Sequence, residues 1–362
     1  MAVSTTRAPI GRERGDRKSK REMEYRLLGR TGLRVSAICL GTVYLGSQIA
    51  STESVEIIQR ALDRGINFVD TAEIYMRPAY GAAEEVVGRA LTGRRSEVIL
   101  ATKKRYDPRQ FRTGGPGDHG LSRHQIVRAI DESLRRLRTD YIDLYYAHQP
   151  DPEVPLEETL RAFDDLVHSG KVRYVGLSNH PAWRTVEALW IADRRGLAPV
   201  AAVQVLYNLL DRQIERELVP AARQFDLGLV AYSPLGGGVL TGKYGTGSDP
   251  LPPGSRAARV ASRSSGRAGH IPVLSERNRD TAQRLAAFAA ERGETAARLA
   301  IAWVLHQPRV SATIMGASTV AQLDANLAAG ELRLTSDDLA ALTALGTNPP
   351  LRLPFKAATV QT

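Results

Sequence analysis

The chain has 362 residues, 43% of them hydrophobic, with one cysteine and a formal charge of +10. A single cysteine excludes an internal disulfide, residues 1–22 lack the apolar stretch of a signal peptide, and no run of about twenty apolar residues offers a membrane span, so a cytoplasmic globular protein is expected. The charge does not describe a nucleic-acid groove: residues 1–22 hold seven Lys/Arg against three Asp/Glu, residues 252–279 hold six against one, and the remainder is nearly neutral.

In chain order, residues 1–22 read as a disordered basic tail. The segment EYRLLGRTGLRV (24–35) follows as a β-hairpin, and from there apolar runs alternate with amphipathic stretches. Eight runs read as strands: 36–42, 66–72, 98–103, 142–148, 172–178, 201–207, 227–233 and 311–317. Val, Ile and Tyr dominate them with little polar alternation, as in strands buried on both faces. Helical patterns fill the intervals, at 54–64, 82–91, 124–137, 156–169, 182–195, 215–225, 279–293 and 295–307. Eight strand-helix units predict an α/β fold of the closed (β/α)8 TIM-barrel type over residues 23–346. A flexible basic loop is expected at 245–275 and a C-terminal tail at 347–362. An open dinucleotide-binding sheet does not fit, because the first strand is followed by GTVYLGS rather than G-x-G-x-x-G. The one glycine cluster, Gly236–Gly238, follows the seventh strand, where barrels commonly bind phosphate.

Chemistry-bearing residues collect at the ends of three successive runs: Asp70 and Tyr75 after the second, Lys103 after the third, His148 after the fourth. Separately, each has an ordinary reading as a cap, a core wedge, an exposed lysine or a satisfied histidine. In a parallel barrel they share one rim. Together they suit carbonyl reduction by hydride, whose transition state builds charge on oxygen that must be stabilised and protonated. Lys103 is expected to polarise Tyr75, the proton donor; Asp70 is expected to hold the lysine; neutral His148 is expected to orient the carbonyl. No side chain supplies hydride, so a nicotinamide is implied. The segment MGASTVAQLDAN after the eighth strand offers backbone amides at a helix N-terminus, with Ser318-Thr319 readable as a plain N-cap.

The sequence resembles the aldo-keto reductases over residues 24–346. The segments carrying the resemblance are EYRLLGRTGLRVSAICLGT, GINFVDTAEIY, ATKK, DLYYAHQPD, GKVRYVGLSN, VQVLYNLL, AYSPLGGGVLTGKY and IMGASTVAQLDANL, in family order. The resemblance implies the same catalytic tetrad, Asp70, Tyr75, Lys103 and His148. It further implies a cofactor set: Ser178, Asn179 and Gln204 on the carboxamide, and Tyr232 stacked on the nicotinamide. Ser233, Leu235, Gly236 and Lys243 fall along the pyrophosphate, Gly316, Ser318, Gln322 and Asn326 at the adenosine end, with Thr42 and Asp70 completing it. Gly316 and Gln322 stand where some relatives place a lysine and an arginine on the 2′-phosphate. Lys243 with Arg256, Arg259 or Arg263 is expected to compensate, favouring NADPH over NADH. Tyr44, Met76, Tyr106 and Tyr207 are the candidates for the pocket of a small-molecule carbonyl substrate. The fold also resembles potassium-channel β subunits, which bind NADPH and a membrane partner; they carry asparagine at the position of His148. An adaptor acting through its basic arm rests on charge alone.

Overall fold

The structure, a computed structural model, describes residues 23–75, 80–104, 120–245, 250–255, 257–258 and 274–346. The tail 1–22, Met76, Tyr106, the three loop arginines Arg256, Arg259 and Arg263, and residues 347–362 lie outside the described residues.

Eight parallel strands close into a barrel in chain order, the last pairing with the first. They are β3 (Ile38–Gly41), β4 (Phe68–Asp70), β5 (Ile99–Lys104), β6 (Ile142–Ala147), β7 (Val172–Ser178), β8 (Val200–Leu206), β9 (Gly228–Tyr232) and β10 (Val310–Met315). All eight fall on the apolar runs of the sequence. Around them stand α1 (Ser51–Asp63), α2 (Ala82–Ala90), α3 (Arg123–Leu137), α4 (Leu156–His168), α5 (Ala182–Arg195), α6 (Leu218–Gln224), α7 (Glu276–Ala290), α8 (Ala296–Leu305), α9 (Val320–Leu327) and α10 (Ser336–Leu345). Helix starts are set locally: Ser122, Ser275, Thr295 and Thr319 each accept a backbone N–H of the first turn, and Thr335 with Asp338 forms a reciprocal capping box. Among the described helices none is long and apolar enough to cross a membrane.

Because side chains alternate along a strand, each barrel strand feeds two cores. The inward set includes Cys39, Phe68, Ala101, Leu144, Tyr146, Ala202, Val230, Ala312 and Ile314. The outward set packs against the helices, one of which, α8, carries Trp303, the largest fully buried side chain among the described residues. Large and small residues interlock inside: a Cβ at Gly176 would lie 2.5 Å from the Tyr146 ring.

The hairpin β1 (Tyr25–Leu27) with β2 (Arg34–Ser36) closes the barrel end where the strands begin. Leu28 and Val35 enter the inner core, and the Arg30 amide donates to the Asp226 carbonyl at 2.8 Å. Gly29 makes that approach possible, since its φ is +54° and a Cβ would come within 2.3 Å of the Gly228 nitrogen. The opposite end is thereby left as the mouth.

Candidate active site

Strand parity decides what faces the mouth. Counting by twos from the inner core puts Asp70 on β4, Lys103 on β5, Ser178 on β7, Gln204 on β8 and Tyr232 on β9 at inward positions. His148 follows β6 in the same phase, two residues beyond Tyr146. The register pairs Ser178 with Gln204, and Lys103 with Tyr146, so these side chains stand at nearby heights around the rim.

Asp70 is the hub. Its Oδ1 accepts from Lys103 Nζ at 2.5 Å and from the Tyr75 hydroxyl at 3.2 Å, and its Oδ2 accepts from Gln204 Nε2 at 2.8 Å. Lys103 Nζ also donates to the Thr71 carbonyl and to the Tyr75 oxygen, both at 2.8 Å. All three donor directions of the ammonium are therefore used, which is what lets a lysine with a fully buried side chain stay charged. Thr42 fixes the backbone beneath: its amide and hydroxyl both donate to the Asp70 carbonyl, at 3.1 and 3.0 Å. Burial pulls the Lys103 ammonium below its ordinary value, against the attraction of Asp70. Burial, and after it the Asp70 carboxylate, push the Tyr75 hydroxyl well above the usual phenol range. Lys103 donates to the phenol oxygen, as the expected polarisation requires, while burial first and the shared carboxylate second push the hydroxyl the other way. Tyr75 is held as a protonated donor.

The His148 ring meets Tyr75 edge-on, with centroids 6.0 Å apart and planes at 75°. Its backbone is gripped from both sides, its amide donating to the Lys104 carbonyl and its carbonyl accepting from Asn179 Nδ2 at 2.9 Å. The Asn179 side chain also donates to Ser178 Oγ at 3.0 Å and accepts from the Tyr232 hydroxyl at 2.8 Å. Asn179 and Ser233 adopt φ of 60° and 56°, a region that costs a non-glycine residue energy and is retained where surroundings enforce it. Asn208 enforces the second, its Nδ2 donating to the Ser233 carbonyl at 3.0 Å. That residue went unnoticed in the sequence.

Fit to a dinucleotide rests on two features of this chain. Gly236, Gly237 and Gly238 take successive φ of 53°, 68° and 94°, exposing a tight turn of backbone, and a Cβ at Gly238 would lie 2.9 Å from Lys243 Nζ. A cation folded over a glycine turn suits an anionic phosphate. Leu235 anchors that turn, its carbonyl accepting from Gly238 and Leu240. At α9, Thr319 is the N-cap, while the Ser318 amide and hydroxyl both donate to Gln322 Oε1 at 3.0 and 2.7 Å. Gly316 and Ser318 are exposed and Asn326 is partly buried on the same segment.

The pocket candidates divide. Tyr44 is partly buried in the loop after β3. Tyr207 is a correction: it lies three residues beyond Gln204, on the opposite face, packed against Trp303 with its hydroxyl donating to Glu215 at 2.8 Å. It belongs to the strand-helix core, not to the mouth.

A charged rim network, a protonated phenol and a phosphate-like cradle at one barrel end match the comparison with known sequences. The aldo/keto reductase family profile covers residues 37–347. The chain belongs to the aldo/keto reductase family. A Bacillus subtilis protein named "Uncharacterized oxidoreductase YrpG" is 39% identical over 90% of this chain and 97% of its own length. A rice protein named "Probable voltage-gated potassium channel subunit beta" is 38% identical over 85% of this chain and 91% of its own. The L-glyceraldehyde 3-phosphate reductase of Escherichia coli strain K12 is 34% identical over 88% of this chain and 91% of its own. Family membership carries the general chemistry, carbonyl reduction by an oxidoreductase.

Proposed function

We propose that the chain reduces an aldehyde or ketone to the alcohol with NADPH, using Tyr75 as proton donor. The observation that carries this reading is the convergence of Asp70, Lys103 and Tyr75 within hydrogen-bond distance beside His148. Bound nicotinamide would supply the hydride. Tyr75 releases its proton to the developing alkoxide, and the adjacent Lys103 ammonium stabilises the phenolate left behind. His148 orients the carbonyl oxygen toward the phenol. Asp70 keeps Lys103 charged and, through Gln204, locks the site to β8. Tyr232 supports the nicotinamide ring, Ser178, Asn179 and Gln204 surround its amide, and Gly236 with Lys243 receives phosphate. Lys243 favours NADPH over NADH. A small carbonyl compound is the substrate, in the cytoplasm, with Tyr44 on the pocket wall and no nucleic-acid or membrane partner.

The test follows NADPH and NADH absorbance with 4-nitrobenzaldehyde and methylglyoxal, comparing wild type, Tyr75→Phe and Lys243→Ala. Turnover that collapses in Tyr75→Phe supports the reading. Lys243→Ala that leaves NADPH affinity intact removes the explanation of cofactor choice.

The names of relatives such as the rice protein motivate a second reading, a cofactor-binding subunit of a membrane partner with feeble turnover. His148 argues against it. Tight NADPH binding without turnover on any tested carbonyl shifts the weight to that reading.

A further inference from the structure

β5 ends in two adjacent lysines whose side chains leave opposite faces of the strand. Lys103 points into the barrel and grips Asp70, Thr71 and Tyr75. Lys104 points outward, is itself buried, and donates to Glu73 Oε1 at 3.0 Å. Glu73 lies two residues before Tyr75 on the same turn. Its carbonyl accepts from the Gly81 amide at 2.8 Å, across residues 74–80. Gly81 rests on the Arg136 side chain, where a Cβ would meet Arg136 Cδ at 2.4 Å. Arg136 Nε in turn donates to the fully buried Glu84 at 2.6 Å, and Thr102, another outward residue of β5, donates to the same carboxylate at 2.7 Å. Glu73, Glu84, Lys104 and Arg136 thus form a charged cluster outside the barrel wall, with Glu132 3.7 Å from Arg136 at its edge. The Lys104 backbone carbonyl accepts the His148 amide at 2.8 Å, so one residue touches the supports of two tetrad members.

We propose that the Glu73–Lys104 pair, braced by Glu84 and Arg136, is a positioning device that sets the height of the Tyr75 hydroxyl over the carbonyl. Lys103 and Lys104 hold the segment Asp70–Tyr75 from its two sides, one through the proton donor and one through the turn that carries it. Neither Glu73 nor Lys104 touches substrate; both act through Tyr75. Losing the outer hold leaves the phenol bonded to Lys103 but free to shift with its turn, and a displacement of about 1 Å at a reacting group can lower a rate on the order of a hundredfold. The inference rests on Tyr75 being the proton donor.

The experiment measures kcat, KM and NADPH affinity, the last by tryptophan fluorescence, for Glu73→Gln, Lys104→Met and the double variant, with Tyr75→Phe alongside. The expected result is a kcat loss of about tenfold to a hundredfold in each single variant. KM and NADPH affinity should stay within about twofold, and the double variant should fall no further than either single one. Should Glu73→Gln fail to fold, Glu73→Asp keeps the charge pair at shorter reach and is expected to lose rate alone. A kcat within threefold of wild type in folded variants overturns the proposal, as does a joint loss of KM, NADPH affinity and melting temperature, which marks a purely structural pair. If Tyr75→Phe retains the wild-type rate, the proposed function itself fails; if it collapses while Glu73→Gln does not, only this inference fails.

Discussion

Replacing Lys103 by methionine isolates what the buried ion pair costs the fold. The substitution keeps the volume of the stem but removes the ammonium, leaving Asp70, 1% exposed, with its charge uncompensated. Breaking one partner of such a pair costs about 3–5 kcal/mol. Two hydrogen bonds to Asp70 survive, from Gln204 and Tyr75, which points to the lower end of that range. The Thr71 carbonyl loses its Lys103 donor, adding about 1 kcal/mol. A net loss of about 4 kcal/mol follows, large against the roughly 5–15 kcal/mol that stabilises most domains. Changing Asp70→Asn in the same chain removes the stranded charge and should return about 2 kcal/mol while restoring no activity. Equilibrium urea unfolding followed by tryptophan fluorescence reads all three chains. A single variant within about 1 kcal/mol of wild type, or a double variant no more stable than the single, would refute the reasoning.

Three other perturbations test different parts of the description. His180, buried after β7 with its Nδ1 against the Ser178 carbonyl, is pushed down to about 4 by burial. Its unfolded value near 6.5 is higher, so the unfolded chain takes up the proton first and stability is full above pH 6.5, declining toward pH 4. The loss reaches roughly 3 kcal/mol, and His180→Asn should flatten that part of the stability-pH curve; identical slopes would count against it. Gly176→Ala drives a methyl into the Tyr146 ring and toward the Ala202 carbonyl, and is expected to cost about 1–3 kcal/mol in thermal unfolding. An unchanged melting temperature would show the barrel interior to be looser than described. Tyr207→Phe should lower stability by about 1 kcal/mol with carbonyl KM unaltered; a raised KM at full stability would return Tyr207 to the pocket.

The barrel was legible because each strand is a short apolar run bounded by turn residues and followed by an amphipathic stretch. The convergence of Asp70, Tyr75, Lys103 and His148 was legible because parallel strand ends supply one rim. Tyr207 differs from its sequence expectation because period two counted from Gln204 sends it outward. Glu73, Lys104, Glu84 and Arg136 were not found, because their partners are 31 and 52 residues apart and meet only once β5, α2 and α3 pack. The D-x-x-E-x-Y and K-K patterns were the available signals. The upward push on Tyr75 was also hidden, since it depends on burial that a sequence does not state.

The hairpin that seals the barrel floor has a kinetic consequence. It is synthesised early, yet its docking partners come late: Arg26 donates to the carbonyls of Leu305 and Val310, Ser311 Oγ donates to the Leu27 carbonyl, and β3 closes against β10. A nascent chain therefore carries this plug undocked through most of translation, and ring closure waits on a contact spanning 275 positions. An N-terminal fusion hangs on the piece that seats last, so its burden falls on assembly speed and yield, while the catalytic mouth at the far end stays clear of it.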